Sequence, residues 1–235
     1  MPQEAVVKMP NWEDEPGSDA AVLRRSTPEL IADSLRRAIL TGAIAGGMQL
    51  KQNDVAARFG VSVVPVREAF QRLVAEGLAL MQPNRGVTVT AISEADFQEI
   101  AEMRSLLEPH VFRLSAPKLT ASHLARSRNI LQQAAKTEDI YRRAELHWEF
   151  HRSLYEAAER PRVLAQIAGL YTSINRYLLP VWSKVGLSAG WIGSHVTIID
   201  AVLRGDIDIA TALVVEQIAE AAERVREQLQ LQKSP

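Results

Sequence analysis

His147 and His151 are four residues apart, a spacing that stacks two imidazoles on one face of a helix. Phe150 and Leu154 share that face, so the pair points inward. His195 follows Trp191 and precedes Ile198, Ile199 and Val202 at helical spacing, which turns it inward as well. Gln217 sits with Leu213, Val214 and Ala221 on the apolar side of the last helix. Neutral imidazoles are good ligands for zinc, nickel or copper, and a buried polar group left unpaired costs about 1–3 kcal/mol. These four side chains therefore need internal partners, a metal or an organic ligand. Arg104 lies on a helix face that Phe97, Ile100, Leu107, Val111 and Leu114 mark as internal. A buried guanidinium demands an anion. That anion is Glu108 one turn on, another carboxylate of the bundle, or the carboxylate of a small effector held bidentately. Asn175 and Arg176, on a helix from Val163 to Leu179, are further effector-binding candidates. His110 and His123 belong to no such constellation and read as structural or surface residues.

The elements that must position these groups are helical. Residues 93–235 are broken near Pro117–Thr120, Thr137–Asp139, Arg160-Pro161, Val185–Gly190 and Gly205-Asp206, which leaves six helices. The expected fold is mainly α, an antiparallel bundle following a small N-terminal unit. Ile92-Ser93 marks the boundary, because Ser93 can cap a long helix through Asp96. With no cysteine among 235 residues, disulfides, thiolate metal sites and a cysteine nucleophile are excluded. No apolar run is long enough to span a bilayer and no signal peptide opens the chain, so a cytoplasmic protein without membrane partners is expected. The net charge of −1 is unevenly spread. Residues 1–22 carry five acids against one lysine and four residues that break structure, Pro2, Pro10, Pro16 and Gly17, and read as a flexible acidic arm. Residues 23–92 carry nine Arg and Lys against five acids, and the only basic segment also holds the clearest local motif.

That motif spans residues 53–89. Asp54 to Phe59 is helical; Gly60-Val61-Ser62 stops the helix and offers Ser62 as the next N-cap; Pro65 falls in the first turn of a second helix, where its missing N–H costs nothing. Val66, Ala69, Phe70, Leu73 and Val74 form that helix's core side, which leaves Arg67, Gln71 and Arg72 outside. Gln82 to Val89 adds a β wing turned by Asn84-Arg85-Gly86. Two helices joined by such a turn can lay the second in a DNA major groove. Arg67 could grip phosphate or fork onto guanine, Ser62 and the neighbouring backbone N–H groups suit phosphate, and Arg85 could enter the minor groove. Arg72, Asn84 and Gly86 complete the candidate surface.

VSVVPVREAFQRLVAEGL, preceded by LRRAILTGAIAGGMQL and followed by QPNRGVTV, resembles the winged helix of the GntR regulators from about Leu35 to Val89. EMRSLLE, HWEFHRSLYEAA and HVTIIDAVLRGD resemble the all-helical effector (FCD) domain of the FadR branch, so the likeness covers roughly residues 30–225. It implies a DNA-binding regulator of operator DNA, a repressor acting as a homodimer. The winged helix-turn-helix would occupy 23–92, and the effector-binding and dimerisation domain 93–235. The chain departs from the family where an Arg and a polar residue usually follow the motif's Ser. Val63 and Val64 stand there, able to touch a thymine methyl but not to donate a hydrogen bond.

Many relatives hold a divalent metal with one Asp and three His. Here His147 takes the place of the Asp, His151 and His195 match two histidines, and Gln217 replaces the third. The resemblance thus implies a site for zinc or nickel on His147, His151 and His195, with Gln217 a weak donor, or a metal-free pocket that hydrogen-bonds a small carboxylate directly. No organic cofactor is implied. In metal-binding relatives the arginine at the place of Arg104 lines the ligand cavity. Two other readings exist. In one, the helical domain only dimerises. In the other, a three-histidine metalloenzyme uses Glu149 or Glu145 as base, although neither shares the histidine face and the DNA motif would be unexplained. The sequence therefore reads as a regulator and not an enzyme.

Overall fold

The computed structural model describes residues 26–82, 86–185 and 189–233. The acidic arm and the wing-tip residues Asn84 and Arg85 lie outside them. The chain divides into two compact units between Ala91 and Ile92.

The first unit begins with α1 (Thr27–Leu40), whose N-cap is Ser26, one residue ahead of Thr27. Glu29 closes the cap by accepting the Ser26 backbone N–H at 3.0 Å. Ile31, Ala32, Leu35, Ala38 and Ile39 bury one stripe of this helix. Arg36, on another side, reaches Asp33 and forks onto Glu76 beyond the third helix, donating Nε–H to Oε2 at 2.7 Å. After a glycine-rich turn come β1 (Gln49–Leu50) and α2 (Gln52–Phe59). Gly60 ends α2 in the left-handed region, φ 64°. α3 (Val63–Ala75) buries Val66, Ala69, Phe70 and Leu73. β2 (Ala79–Gln82) and β3 (Gly86–Val89) form the wing.

The expected hairpin is in fact a three-stranded antiparallel sheet in the order β1-β3-β2, with Leu50 opposite Val87 and Leu80 opposite Thr88. β1 escaped the sequence because two residues show no alternation. It also gives Gly86 a second task besides its φ of 89°: a Cβ there would lie 2.2 Å from the Leu50 carbonyl oxygen. Gly86→Ala is expected to destabilise the winged unit by at least the roughly 1–3 kcal/mol of a strained backbone position. Urea unfolding of the full chain should show its transition at lower denaturant while that of the bundle stays in place.

The second unit contains α4 (Glu94–Ser115), α5 (Ala121–Lys136), α6 (Ile140–Tyr155), α7 (Pro161–Val185), α8 (Ala189–Leu203) and α9 (Ile207–Lys233). Caps explain the starts: Ser93 Oγ accepts the Asp96 N–H at 3.0 Å, and Asp139 accepts those of Tyr141 and Arg142. α5 packs on α6, α4 on α7 and α9, and α8 on α9. Phe112, Phe150, Leu154, Tyr155, Tyr171, Ile198 and Ile199 lie at the centre of the core. The buried stripe of α4 runs through Phe97, Ile100, Ala101, Arg104, Glu108, Val111 and Phe112. Leu114, expected inside, is exposed, because the stripe passes to Ser115. Among the described residues no helix is long and apolar enough to cross a membrane.

Candidate functional site

Two surfaces carry the candidate residues. On α3, Ser62 occupies the N-cap position in extended conformation, but its hydroxyl makes no cap bond. Val63 is half-buried, while Val64 is 66% exposed. Arg67 is exposed and makes no ion pair or hydrogen bond among the described residues. Arg72 is also exposed, but Glu29 engages it at 3.2 Å, so its charge is partly spent on α1. Gly86 serves the sheet. Of the candidate DNA-reading groups, the structure thus leaves Ser62, Val64 and Arg67 presented together at the start of α3.

The bundle holds a cavity of about 280 Å³. Its wall includes Arg104 from α4, His147 and His151 from α6, Trp182 from α7, Trp191, Ser194 and His195 from α8, and Gln217 and Arg224 from α9. The three histidines are buried, and one ring nitrogen of each lies within 4.8 Å of the other two. Four helices therefore bring together the set that spacing on separate helices suggested.

Hydrogen-bond partners assign the tautomers. His195 Nδ1 is 2.7 Å from the Trp191 carbonyl, which only accepts, so Nδ1 carries the proton and Nε2 presents a lone pair. His151 Nδ1 is 3.2 Å from the Tyr155 hydroxyl. Tyr155 donates its own proton to Glu108 Oε2 at 2.7 Å, so its oxygen accepts from His151, whose Nε2 is therefore also a lone pair. His147 Nε2 is 3.0 Å from that atom and must be the donor between them, which leaves His147 Nδ1 bare. Ser194 donates to the Trp191 carbonyl at 2.9 Å and accepts from Gln217 Nε2 at 3.3 Å, an arrangement that orients the amide. Among the described residues of the cavity wall, three acceptors are left buried without a partner: His147 Nδ1, His195 Nε2 and Gln217 Oε1.

Burial keeps the imidazoles neutral. It holds His147 and His151 well below the ordinary histidine value, His147 lowered further by His195 and Arg104 and His151 by His147, His195 and Arg104, and it lowers His195 to about 4. Burial and the Glu108 carboxylate push Tyr155 and Tyr171 well up, so both phenols keep their protons.

Arg104 has an internal anion. Its Nε donates to Glu108 Oε1 at 2.7 Å, its guanidinium lies 4.6 Å from the Tyr171 ring centroid, and Tyr171 donates to Glu108 Oε2 at 3.0 Å. Asn175 and Arg176 are buried but are not part of the cavity wall, although Asn175 Oδ1 lacks a partner. Glu145 and Glu149 both bind Arg142 at 3.0 Å, outside the cavity. His123 Nδ1 accepts the Thr120 N–H at the start of α5. Sequence reasoning missed Tyr155, Tyr171, Trp182, Ser194 and Arg224. Only Tyr155, four residues after His151, and Ser194, beside His195, carried a local signal.

The sequence model described as bacterial regulatory proteins, gntR family, matches residues 27–89, and the FCD domain model matches residues 99–227. One match falls in each of the two units. The chain belongs to the GntR family. The HTH-type transcriptional repressor RspR of Escherichia coli (strain K12) is 30% identical over 196 residues, covering 82% of this chain and 86% of that protein. A probable D-xylose utilization operon transcriptional repressor of Paenarthrobacter nicotinovorans is 29% identical, covering 83% and 87%. The solved structure of E. coli McbR/YncC has the same fold, with a TM-score of 0.74 at 22% identity over 87% of this chain and 99% of that one. This GntR-family protein is a DNA-binding transcription regulator, and its relatives are regulators rather than enzymes. Its C-terminal unit carries an FCD domain, and its N-terminal winged helix-turn-helix accounts for the small sheet beside α3.

Proposed function

We propose that this regulator is a homodimeric repressor whose operator binding answers to a small carboxylate effector, and that the effector is received through a divalent ion, zinc or nickel, held by His147, His151 and His195. Gln217 is a weaker fourth donor. The observation that carries this reading is the trio of buried acceptors with no donor, His147 Nδ1, His195 Nε2 and Gln217 Oε1, beside the His151 Nε2 lone pair. Such a lining suits a cation. A carboxylate set directly on neutral imidazoles would face acceptor with acceptor, so the metal-free carboxylate pocket is the less favoured arrangement. His195 and His151 donate their other ring N–H to a carbonyl and a phenol, as ligating histidines commonly do. When bound, the ion supplies a positive centre for an anionic ligand. Arg104 adds positive potential at the wall, although its Nε is committed to Glu108.

In this reading residues 23–92 bind DNA through Ser62, Val63, Val64 and Arg67, with Asn84 and Arg85 at the wing tip, after an acidic arm over 1–22. Residues 93–235 bind effector and dimerise. Two α3 helices related by a two-fold axis suit a palindrome. The setting is the cytoplasm, where operator DNA is found.

The test begins with chelator-treated full-length protein. Added Zn²⁺ or Ni²⁺ is expected to raise the melting temperature with one ion per chain, and His195→Ala is expected to lose the shift. Carboxylates added to the metal-loaded protein are then expected to release it from operator DNA. No shift and no bound metal in elemental analysis would sink the metal reading. An alkylammonium ligand would also suit three acceptors, and a shift with such salts but with neither metal would put an amine in the ion's place.

A further inference from the structure

Glu108 is fully buried and receives three donors: Arg104 Nε–H at 2.7 Å, Tyr155 O–H at 2.7 Å and Tyr171 O–H at 3.0 Å. The two phenols reach the same oxygen, Oε2, from different helices. Only one of them goes further. The Tyr155 oxygen is 3.2 Å from His151 Nδ1, whereas Tyr171 makes no hydrogen bond to a histidine. We propose that Tyr155 is a positioning residue, whose phenol links the Glu108 carboxylate to His151, fixes the ring proton on Nδ1 and turns the Nε2 lone pair into the cavity.

A phenol has one proton. Committed to Glu108, it leaves the oxygen able only to accept, so the carboxylate dictates the tautomer of a histidine it does not touch. His195 obtains the same constraint from the Trp191 carbonyl. His147 has no such partner, and its Nδ1 is unsatisfied. The three rings are therefore unequal: two have their lone pairs set in advance, and His147, which donates Nε2–H to His151, is the one that must rearrange when a cation arrives. The three ligands are neutral and bring no anion of their own. Through Tyr155 the Glu108 carboxylate orients the phenol that accepts from His151 Nδ1–H, an indirect form of the contact a carboxylate makes directly with a ligating histidine in many zinc sites. The metal part of this inference rests on the metal reading above; the tautomer part does not.

The experiment uses the full-length protein with ¹⁵N-labelled histidine, free of metal, and long-range ¹⁵N–¹H correlation spectra. Wild type is expected to show His151 as the Nδ1–H tautomer. Tyr155→Phe, which deletes only the hydroxyl, is expected to shift it to Nε2–H or a mixture. Tyr171→Phe deletes the other hydroxyl on the same Glu108 oxygen and is expected to leave it unchanged. Zn²⁺ affinity, measured by competition with a chromophoric chelator, is then expected to fall roughly 10–100-fold in Tyr155→Phe and to stay at the wild-type value in Tyr171→Phe. His151 as Nε2–H in wild type, or Nδ1–H persisting in Tyr155→Phe, would overturn the proposal. Equal losses of Zn²⁺ in the two Phe variants would also overturn it, since they would mean only that Glu108 needs donors. Failure of the wild type to take Zn²⁺ removes the metal reading alone, and the spectra still decide the role of Tyr155.

Discussion

Arg67→Ala is expected to abolish sequence-specific operator binding while the protein stays folded. The side chain is exposed on α3 and makes no ion pair or hydrogen bond among the described residues, whereas Val66, Ala69, Phe70 and Leu73 hold the helix from its other side. A bidentate contact with a base edge contributes about 1–3 kcal/mol of discrimination. The proposed dimer would use the residue twice, so the expected loss is roughly 2–6 kcal/mol, enough to bring specific binding down towards the non-specific level. Fluorescence anisotropy with an operator selected from random sequence is the measurement, and circular dichroism checks the fold. Wild-type binding should weaken steeply as salt rises, because phosphate contacts release counterions. Val64→Ala is a graded companion. The side chain is 66% exposed and has no donor, so its loss should weaken discrimination only where a thymine methyl lies against it. If Arg67→Ala keeps wild-type affinity and specificity, α3 does not read DNA through this residue.

Arg104→Ala is expected to destabilise the bundle by about 3–5 kcal/mol, because it leaves a buried carboxylate without its cation. Arg104 is 4% exposed and Glu108 0%, and their contact is 2.7 Å, so neither charge has water to fall back on. For a unit of this size the melting temperature should drop by roughly 10–20 °C. Arg104→Lys keeps the charge but neither the planar fork nor the stacking over Tyr171, and should recover part of the loss. Arg104→Ala with Glu108→Gln removes both charges and should recover more than half. A single variant that melts like wild type would show that the pair adds nothing to stability. If the variant stays folded and is released from DNA by carboxylate as wild type is, Arg104 has no part in sensing. The inward arginine left two partners open in the sequence, Glu108 and an effector, and the structure shows that Glu108 engages Nε while the side chain still reaches the cavity wall.

Periodicity along one helix is a local property, and what depends on it was readable from the residues. The stop at Gly60, the N-cap position of Ser62, the inner and outer sides of α3 and the inward set His147, His151 and His195 all follow from spacing within single helices. Leu114 shows where that rule frays. Five apolar positions fitted an inner face, but the actual stripe drifts to Glu108, Phe112 and Ser115, which a polar residue conceals from any apolar count. The pairing of two-residue β1 with β3, and with it the need for Gly86, depends on a contact across thirty-odd residues that no local pattern announces. The same holds for the interior of the bundle. Spacing placed three histidines inward without saying that they meet, and it made Asn175 and Arg176 look equally eligible although packing leaves them out of the wall. Tyr155 and Tyr171 converge on one oxygen of Glu108, and Ser194 orients Gln217, because five helices pack at particular rotations. A helix face can be read from 3.6-residue repeats; which lone pair points at which neighbour is set by interhelical geometry, and that geometry exists only once the whole core has closed.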